Sequence, residues 1–402
     1  MSDPDKEPLP AGAQCRSLLG QPLYPPPVAE DQRAKLEQQL VDARAAWQAA
    51  PDDADALIWY GRRLGYLGQF REAVEVFSEG IRRHPEDARM WRFRGHRGIT
   101  LRQFDKAVAD LERATQLIEG QPDQIEPAGT PNARGIDLDT LHENVWYHLA
   151  LARFLRGEYE EALSDWETCL TTVRNDDGRS MCAYWIASAA GRAAAAEQAQ
   201  GDATQAAALR ARGAAALAGI RPEMDIVEYT SYHQLALAWK GELEPDALLA
   251  SARQHVDGDI DLATVGFGVA NWHLCRGETE LAQAIFAEVE RGPSWHAFGH
   301  VAAEVELARA AGRRGSARRQ PERLPQRILV VADAAPEHAP IGPDDIVRRV
   351  GRDAKGPRDA VALLHDGQVR EAARLPPLGD DLPAVADVHG EEGDVLALAA
   401  DL

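Results

Sequence analysis

The side chains that could do chemistry are few and poorly arranged for it. Of the twelve histidines, His296 and His300 stand four apart in Ser294-Trp-His-Ala-Phe-Gly-His300. On one helix that spacing would turn two imidazoles toward one metal ion. No HExxH surrounds them and no third ligand lies nearby, so they read as histidines of a terminal capping helix and no metal is expected. His148, His233 and His273 each follow an aromatic residue. An inner-surface imidazole beside a ring can bind a ligand or titrate, and the plainer reading is a hydrogen bond to a neighbouring helix. The four cysteines, Cys15, Cys169, Cys182 and Cys275, form no CxxC and lie far apart, which is neither a zinc pattern nor a disulfide framework. Cys169 and Cys275 read as core. There is no GxxxxGK[ST], and no GxGxxG between a strand and a helix. Gly266-Phe-Gly268 reads as helix packing. The expectation is no catalytic centre and no cofactor.

Composition narrows the classes further. The chain has 402 residues, 44 Lys and Arg against 64 Asp and Glu, and a net charge of -20. Nucleic-acid affinity rests on cationic release of counterions, so a general nucleic-acid binder is not expected. With 45% apolar residues, most of the chain can bury a core. No stretch reaches 18 consecutive apolar residues, so no transmembrane segment is expected.

The residues that must position any site recur at a step of 34. Gly61 becomes Gly95, Phe70 becomes Phe104, Ala73 becomes Ala107, Phe77 becomes Leu111 and Gly80 becomes Ala114. Small falls on small and large apolar on large, the period of a helix-turn-helix unit. The small residues let two antiparallel helices approach, Phe70 and Phe77 fill the space between units, and Pro85 stops the second helix. Here the chain resembles the tetratricopeptide repeat (TPR) family. The residues that carry the resemblance are Leu57, Tyr60, Gly61, Ala73, Phe77, Gly80 and Pro85, then Trp91, Gly95, Ala107, Leu111 and Ala114, then Trp146, Leu149, Ala150, Gly157, Tyr159, Ala162 and Trp166. A late unit carries Ala270, Gly277, Ala282 and Phe286, with degenerate units at 184–217 and 229–252 and a capping helix at 294–311. The resemblance covers 31–312 and implies an all-α helix-turn-helix solenoid, a TPR-like superhelix, that serves as a scaffold.

In that family the first helix of each unit lines a concave groove. Mapped onto this sequence, the partner-binding residues expected there are Arg62, Tyr66, Arg89, Arg92, His96, Asn144, Tyr147, Phe154, Tyr232, Trp239 and Asn271. The set is basic near the first two units and aromatic further on. Arginine offers planar donors to carboxylates, and aromatic rings offer large contact area. The expected function is therefore non-enzymatic protein–protein interaction: an open groove receiving a peptide or helix, acidic at one end and apolar at the other. The family's chaperone-binding class clamps a terminal carboxylate with a Lys and an Asn. The corresponding positions here hold Ile58 and Arg62, which argues against that ligand. The alternative is a small-molecule or enzymatic site in the superhelix cavity, lined by Tyr147, His148, Trp239 and His273. Self-association through exposed repeat ends is a third possibility.

Three segments stand outside the register. Residues 1–30 read as an extended Pro-rich arm. Between Ala107 and Ala162 the step is 21 residues too long, and the surplus falls on 119–139. That loop is either a tolerated surface insertion or a segment folded over the groove. Residues 313–402 change composition: all nine Trp, eight Tyr and eight Phe lie before residue 300. This stretch reads as a disordered tail, a small independent unit, or an out-of-frame translation of GC-rich DNA. As written the chain shows no export signal, so a cytoplasmic location is expected, and an exported one if the true start lies upstream.

Overall fold

A computed structural model of the chain describes residues 8–254 and 259–319. The readings of the C-terminal stretch beyond residue 319 fall outside the described residues. Among those described, fourteen helices follow a two-strand hairpin. The arm holds β1 (Cys15–Arg16), paired antiparallel with β2 (Pro22–Leu23). Helix α1 (Glu30–Ala49) precedes six helix pairs: α2 (Ala54–Tyr66) with α3 (Phe70–Arg83), α4 (Ala88–Thr100) with α5 (Phe104–Ile118), α6 (Leu141–Arg156) with α7 (Tyr159–Leu170), α8 (Asp176–Gln200) with α9 (Ala203–Leu217), α10 (Thr230–Lys240) with α11 (Pro245–Ala252), and α12 (Asp259–Cys275) with α13 (Thr279–Glu290). Helix α14 (Phe298–Arg319) ends the described chain and runs past the domain boundary expected at 312. No helix among the described residues is long and apolar enough to cross a membrane.

Each pair is built from the same local signals. Side chains of Asp53, Asp87, Thr140 and Asn175 accept from amides in the first turns of α2, α4, α6 and α8, satisfying donors that have no partner inside the helix. All six first helices end in one turn. Gln69, Gln103, Glu158, Asp202, Glu242 and Glu278 each donate a backbone N–H to the carbonyl five residues back. That turn needs a left-handed residue, supplied by Gly68, Gly157, Gly201, Gly241 and Gly277. In the second pair the position is Arg102, at φ 61°, the described chain's one non-glycine residue of positive φ.

The 34-residue register is a packing register. A Cβ built on Gly61 would lie 2.5 Å from the Phe77 ring, and one on Gly95 would lie 2.6 Å from Leu111 Cγ. The same contact thus recurs one period later, with a smaller filler. Toward the middle of the array the core becomes aromatic. Trp166 stacks on Trp185 at 4.9 Å, and Phe154 and Phe267 meet Trp185 at 5.5 and 5.8 Å. Gly266 and Gly268 lie inside α12, where added methyl groups would strike Val289 and Leu235. The connection between α9 and α10 is pinned by buried Asp177, which accepts from the amides of Val227, Glu228 and Tyr229.

Gly61→Ala should therefore cost about 1–3 kcal/mol through overpacking, read from the urea midpoint of the helical signal. Adding Phe77→Leu, which copies the Gly95–Leu111 arrangement, should recover part of the loss. An unchanged midpoint for Gly61→Ala would show that this contact does not set the approach of the two helices.

Candidate functional site

The inner face formed by α2, α4, α6, α8 and α12 is not an open groove. Two segments of the chain itself occupy it. One is α14, expected only to cap the array. It packs on α12 and α13, and also reaches back across the earlier units. The Phe298 ring lies 5.2 Å from His96 of α4 and 5.6 Å from His148 of α6. Val301, Ala302 and Ala303 are buried. The other occupant is the 119–139 insertion, which folds across the face as a strap. Open-groove exposure is thus corrected: Arg62, Arg92, His96, Asn144, Tyr147, Phe154, Tyr232 and Asn271 are all buried. The cause is that α14 carries apolar side chains that fill this part of the inner face.

The strap is held at its base, along one edge and at its tip. At the base, Glu126 N–H donates to Asp139 O (3.0 Å) and Leu141 N–H to Gln124 O (2.9 Å). Along the edge, Arg62 Nη1 donates to the carbonyl of Pro127 at 2.8 Å and Arg63 Nη1 to that of Gly129 at 3.2 Å. Both guanidinium groups lie over the Trp59 ring, at 4.4 and 4.8 Å, and Arg62 Nε also donates to Tyr66 Oη. Glu126 is buried between Arg92, at 3.4 Å, and Asn144, whose Nδ2 donates to it at 2.8 Å. At the tip, Arg134 pairs with Asp225 of the α9–α10 connection, both well exposed. Exposed pairs of this kind contribute only ~0–1 kcal/mol, so the tip is the weak attachment.

The expected site residues therefore divide. Arg62, Arg92 and Asn144 converge on the strap, and Tyr66 accepts a hydrogen bond from Arg62. His96, Tyr147, Phe154, Tyr232, Trp239 and Asn271 do not join them. Tyr147 and Tyr232 meet hydroxyl to hydroxyl at 3.2 Å, Phe154 is core, Trp239 donates to Gly268 O at 3.3 Å, and Asn271 bonds Ser188 and Arg192. Arg89 sits apart on the rim, paired with Asp87 and Asp55, and lines a cleft of about 790 Å³ with His84, Pro122 and His142. Burial first, then Arg97, His148 and nearby cations, holds His96 far below the usual imidazole range, so it is neutral. Of the three aromatic-following histidines only His273 bonds a neighbouring helix, through Asp246 of α11, and it also meets Glu278. His148 meets Asn144 O of its own helix at 2.6 Å, and His233 meets Arg221 O of the α9–α10 connection at 2.8 Å. His296 precedes α14 whereas His300 lies within it, so the two do not share a helix. Burial pushes each down to about 4. Cys169 is fully buried and Cys275 half-buried.

Sequence reasoning missed the groups that fasten α14. Arg102 donates to Glu304 Oε2 at 2.6 Å, to Trp295 O at 2.9 Å and to Thr100 O at 2.6 Å. Glu304 also accepts from Leu18 N–H of the arm at 2.5 Å. One buried ion pair thus ties the arm, the α4–α5 turn and α14. Further along, Glu306 accepts from Arg192 (3.0 Å) and Arg309 (2.5 Å), and both arginines also donate to Tyr159 Oη. Burial pushes the Glu306 carboxyl up, but the two guanidinium charges outweigh it and hold it below the usual range. Arg102 left a signal in the register, since it replaces the glycine found at Gly68. Glu304 and Glu306 left none.

Arg102→Gly should relax the strained turn yet strand Glu304 as a buried charge. Losing one partner of such a pair costs ~3–5 kcal/mol and the strain relieved is only ~1–3 kcal/mol, so chemical denaturation should show net destabilisation. A stabilised variant would mean that the turn, and not the ion pair, dominates. A second expectation concerns pH. Asp139, whose carboxylate accepts from Tyr229 Oη at 2.8 Å, is pushed up to about 7. Burial is the main cause, aided by Glu126 and Glu228 and opposed by Tyr229 and Arg92. A folded-state value raised above the ordinary one contributes stability that is full below about pH 4 and is lost as pH rises through about 7. Urea midpoints should fall from pH 5 to pH 8, and Asp139→Asn should flatten that fall. Equal falls in both proteins would refute the assignment.

The tetratricopeptide repeat model matches residues 54–97, which span α2, α3 and most of α4. No curated protein matches the chain. Among solved structures, the crystal structure of MamA is similar at 14% identity and a TM-score of 0.33, covering 46% of this chain and 91% of MamA. YrrB, described as a TPR protein with an unusual peptide-binding site, is similar at 12% identity and a TM-score of 0.30, over 60% of this chain and 96% of YrrB. The apo form of the quorum sensor NprR from B. thuringiensis is similar at 14% identity and a TM-score of 0.34, over 69% of this chain and 80% of NprR. Residues 54–97 thus carry the tetratricopeptide repeat pattern, and helix pairs of the same build follow them.

Proposed function

We propose that this protein is a non-enzymatic interaction scaffold that receives an extended protein segment on the inner face of its first three helix pairs. The observation that supports this is the strap. Residues 124–130 lie on Arg62, Arg63, Arg92 and Asn144 through main-chain carbonyls and one carboxylate, the groups a partner chain would present. The expected apolar end of a groove is filled by Phe298 and its neighbours on α14, so the reading rests on the basic end alone. Nothing favours a small-molecule or enzymatic site, because Tyr147, His148, Trp239 and His273 each bond or pack against neighbouring elements.

The test places a photo-crosslinking residue at position 55, exposed one turn before Trp59 on α2, or at position 198, on the exposed end of α8. Irradiated native cells should yield a reproducible protein adduct from position 55 that is several-fold weaker or missing from position 198. Equal adducts from both positions, or none from position 55, would sink the proposal. Adducts only to a second copy of the chain would replace it with self-association.

A further inference from the structure

We infer that the seat beneath the strap recognises an acidic, extended peptide of Glu-Pro type in trans, the chain's own residues 124–130 being a resident and imperfect copy of that ligand. The inference rests on the scaffold reading and names the chemistry of its partner.

The seat is a set of spaced donors. Asn144 and Arg92 meet a carboxylate, Arg62 meets the carbonyl of the next residue, and Arg63 meets the carbonyl two residues further on. Bonding to main-chain carbonyls at fixed intervals selects an extended backbone, and the carboxylate pocket fixes its register. A proline after the acid fits, because it pre-sets an extended backbone and the residue before it is biased the same way. The Trp59 ring stacks both outer guanidinium groups and so keeps them aimed.

The resident segment fills this seat badly. Arg92 is 2% exposed, yet its Nε and Nη1 make no hydrogen bond, and neither does Glu126 Oε1. The two groups stand 3.4 Å apart at one pair of atoms, without the paired bonds a guanidinium and a carboxylate can form. The reason is the tether. The bridge between Ile125 and Thr140 fixes the backbone beside Glu126 and so the angle at which its carboxylate arrives. A free peptide carries no such bridge and can turn its carboxylate square to Arg92. The strap can also yield, since Arg134 and Asp225 at its tip are both solvent-exposed.

The experiment uses the full chain and a fluorescent peptide of sequence Gln-Ile-Glu-Pro-Ala-Gly-Thr, read by anisotropy. Wild-type protein should bind weakly, and Glu126→Gln should bind at least tenfold more tightly, because its strap competes less well. A peptide carrying Gln in place of Glu should bind at least tenfold more weakly to both proteins, a readout that needs no variant of the seat. Arg62→Gln should weaken binding severalfold, with helical content checked by circular dichroism. Absence of binding by both proteins, or equal binding of the Glu and Gln peptides, would overturn the inference. So would dimerisation of Glu126→Gln, which would assign the seat to a second copy's strap. The two ideas fail separately: the peptide reports the chemistry of the seat, and crosslinking at position 55 reports whether the cell supplies a partner.

Discussion

The ion pair of Arg102 with Glu304 is the contact on which the rest of this molecule turns. It is 3% and 0% exposed at its two side chains, and it joins residues 202 positions apart. Taking both charges out of water is expensive, and their attraction repays it only when the remaining hydrogen bonds are made. Here they are made: Thr100 O and Trp295 O take the spare guanidinium protons, and the Leu18 amide takes the spare carboxylate oxygen. Arg102 accepts a left-handed backbone to reach this position, at a turn where the other five pairs use glycine. Strain of that kind persists only where the surroundings over-determine it. What it secures is closure, because α14 is drawn back across helices that precede it by more than a hundred residues.

Closure changes what the repeat architecture offers. Stacked helix pairs make an extended concave surface because each pair contacts only its neighbours. Once α14 lies inside, α4, α6 and α8 each contact it as well as their own neighbours. Glu306 repeats the logic of Glu304 one unit along, held by Arg192 and Arg309 with Tyr159 between them. The arm joins from the other side, where Trp295 Nε1 donates to Tyr24 O and its ring meets Phe70 edge-on at 5.4 Å. The inner face left to the first three pairs is the part α14 does not cover, and that part carries the strap.

Much of this was legible in one dimension, and the limit is instructive. The 34-residue step is a statement about neighbours, so it located the contact of Gly61 with Phe77 and its repeat at Gly95 and Leu111. The surplus at 119–139 was equally visible, because an insertion breaks a register. What the register could not say is what fills the inside. It assigned His96, Tyr147 and Asn271 inward, but an inward side chain meets a partner or meets α14, and the deciding residues, Phe298, Glu304 and Glu306, obey no period. Arg102 is the intermediate case. Aligning Gly68 with position 102 exposes an arginine where the turn wants glycine, and an unfavourable residue kept at such a position implies a compensating bond. Only coordinates reveal that the bond runs to Glu304.

The strap and the seat also set how any ligand of this face must behave. A site occupied by its own chain is competent only in the fraction of molecules whose strap is released, and apparent affinity falls by that fraction. If release were populated at about 1%, a ligand would bind about a hundredfold more weakly than the bare seat allows. The defect in the resident copy offsets part of this, because buried guanidinium nitrogens without a hydrogen bond, Nε and Nη1 of Arg92, cost ~1–3 kcal/mol that a better-placed carboxylate recovers. The raised Asp139 carboxyl acts in the same direction from the other side. Above about pH 7 it ionises against the electrostatic influence of Glu126 and Glu228, which loosens the base of the strap. The same few groups that hold the strap thus determine how easily it gives way.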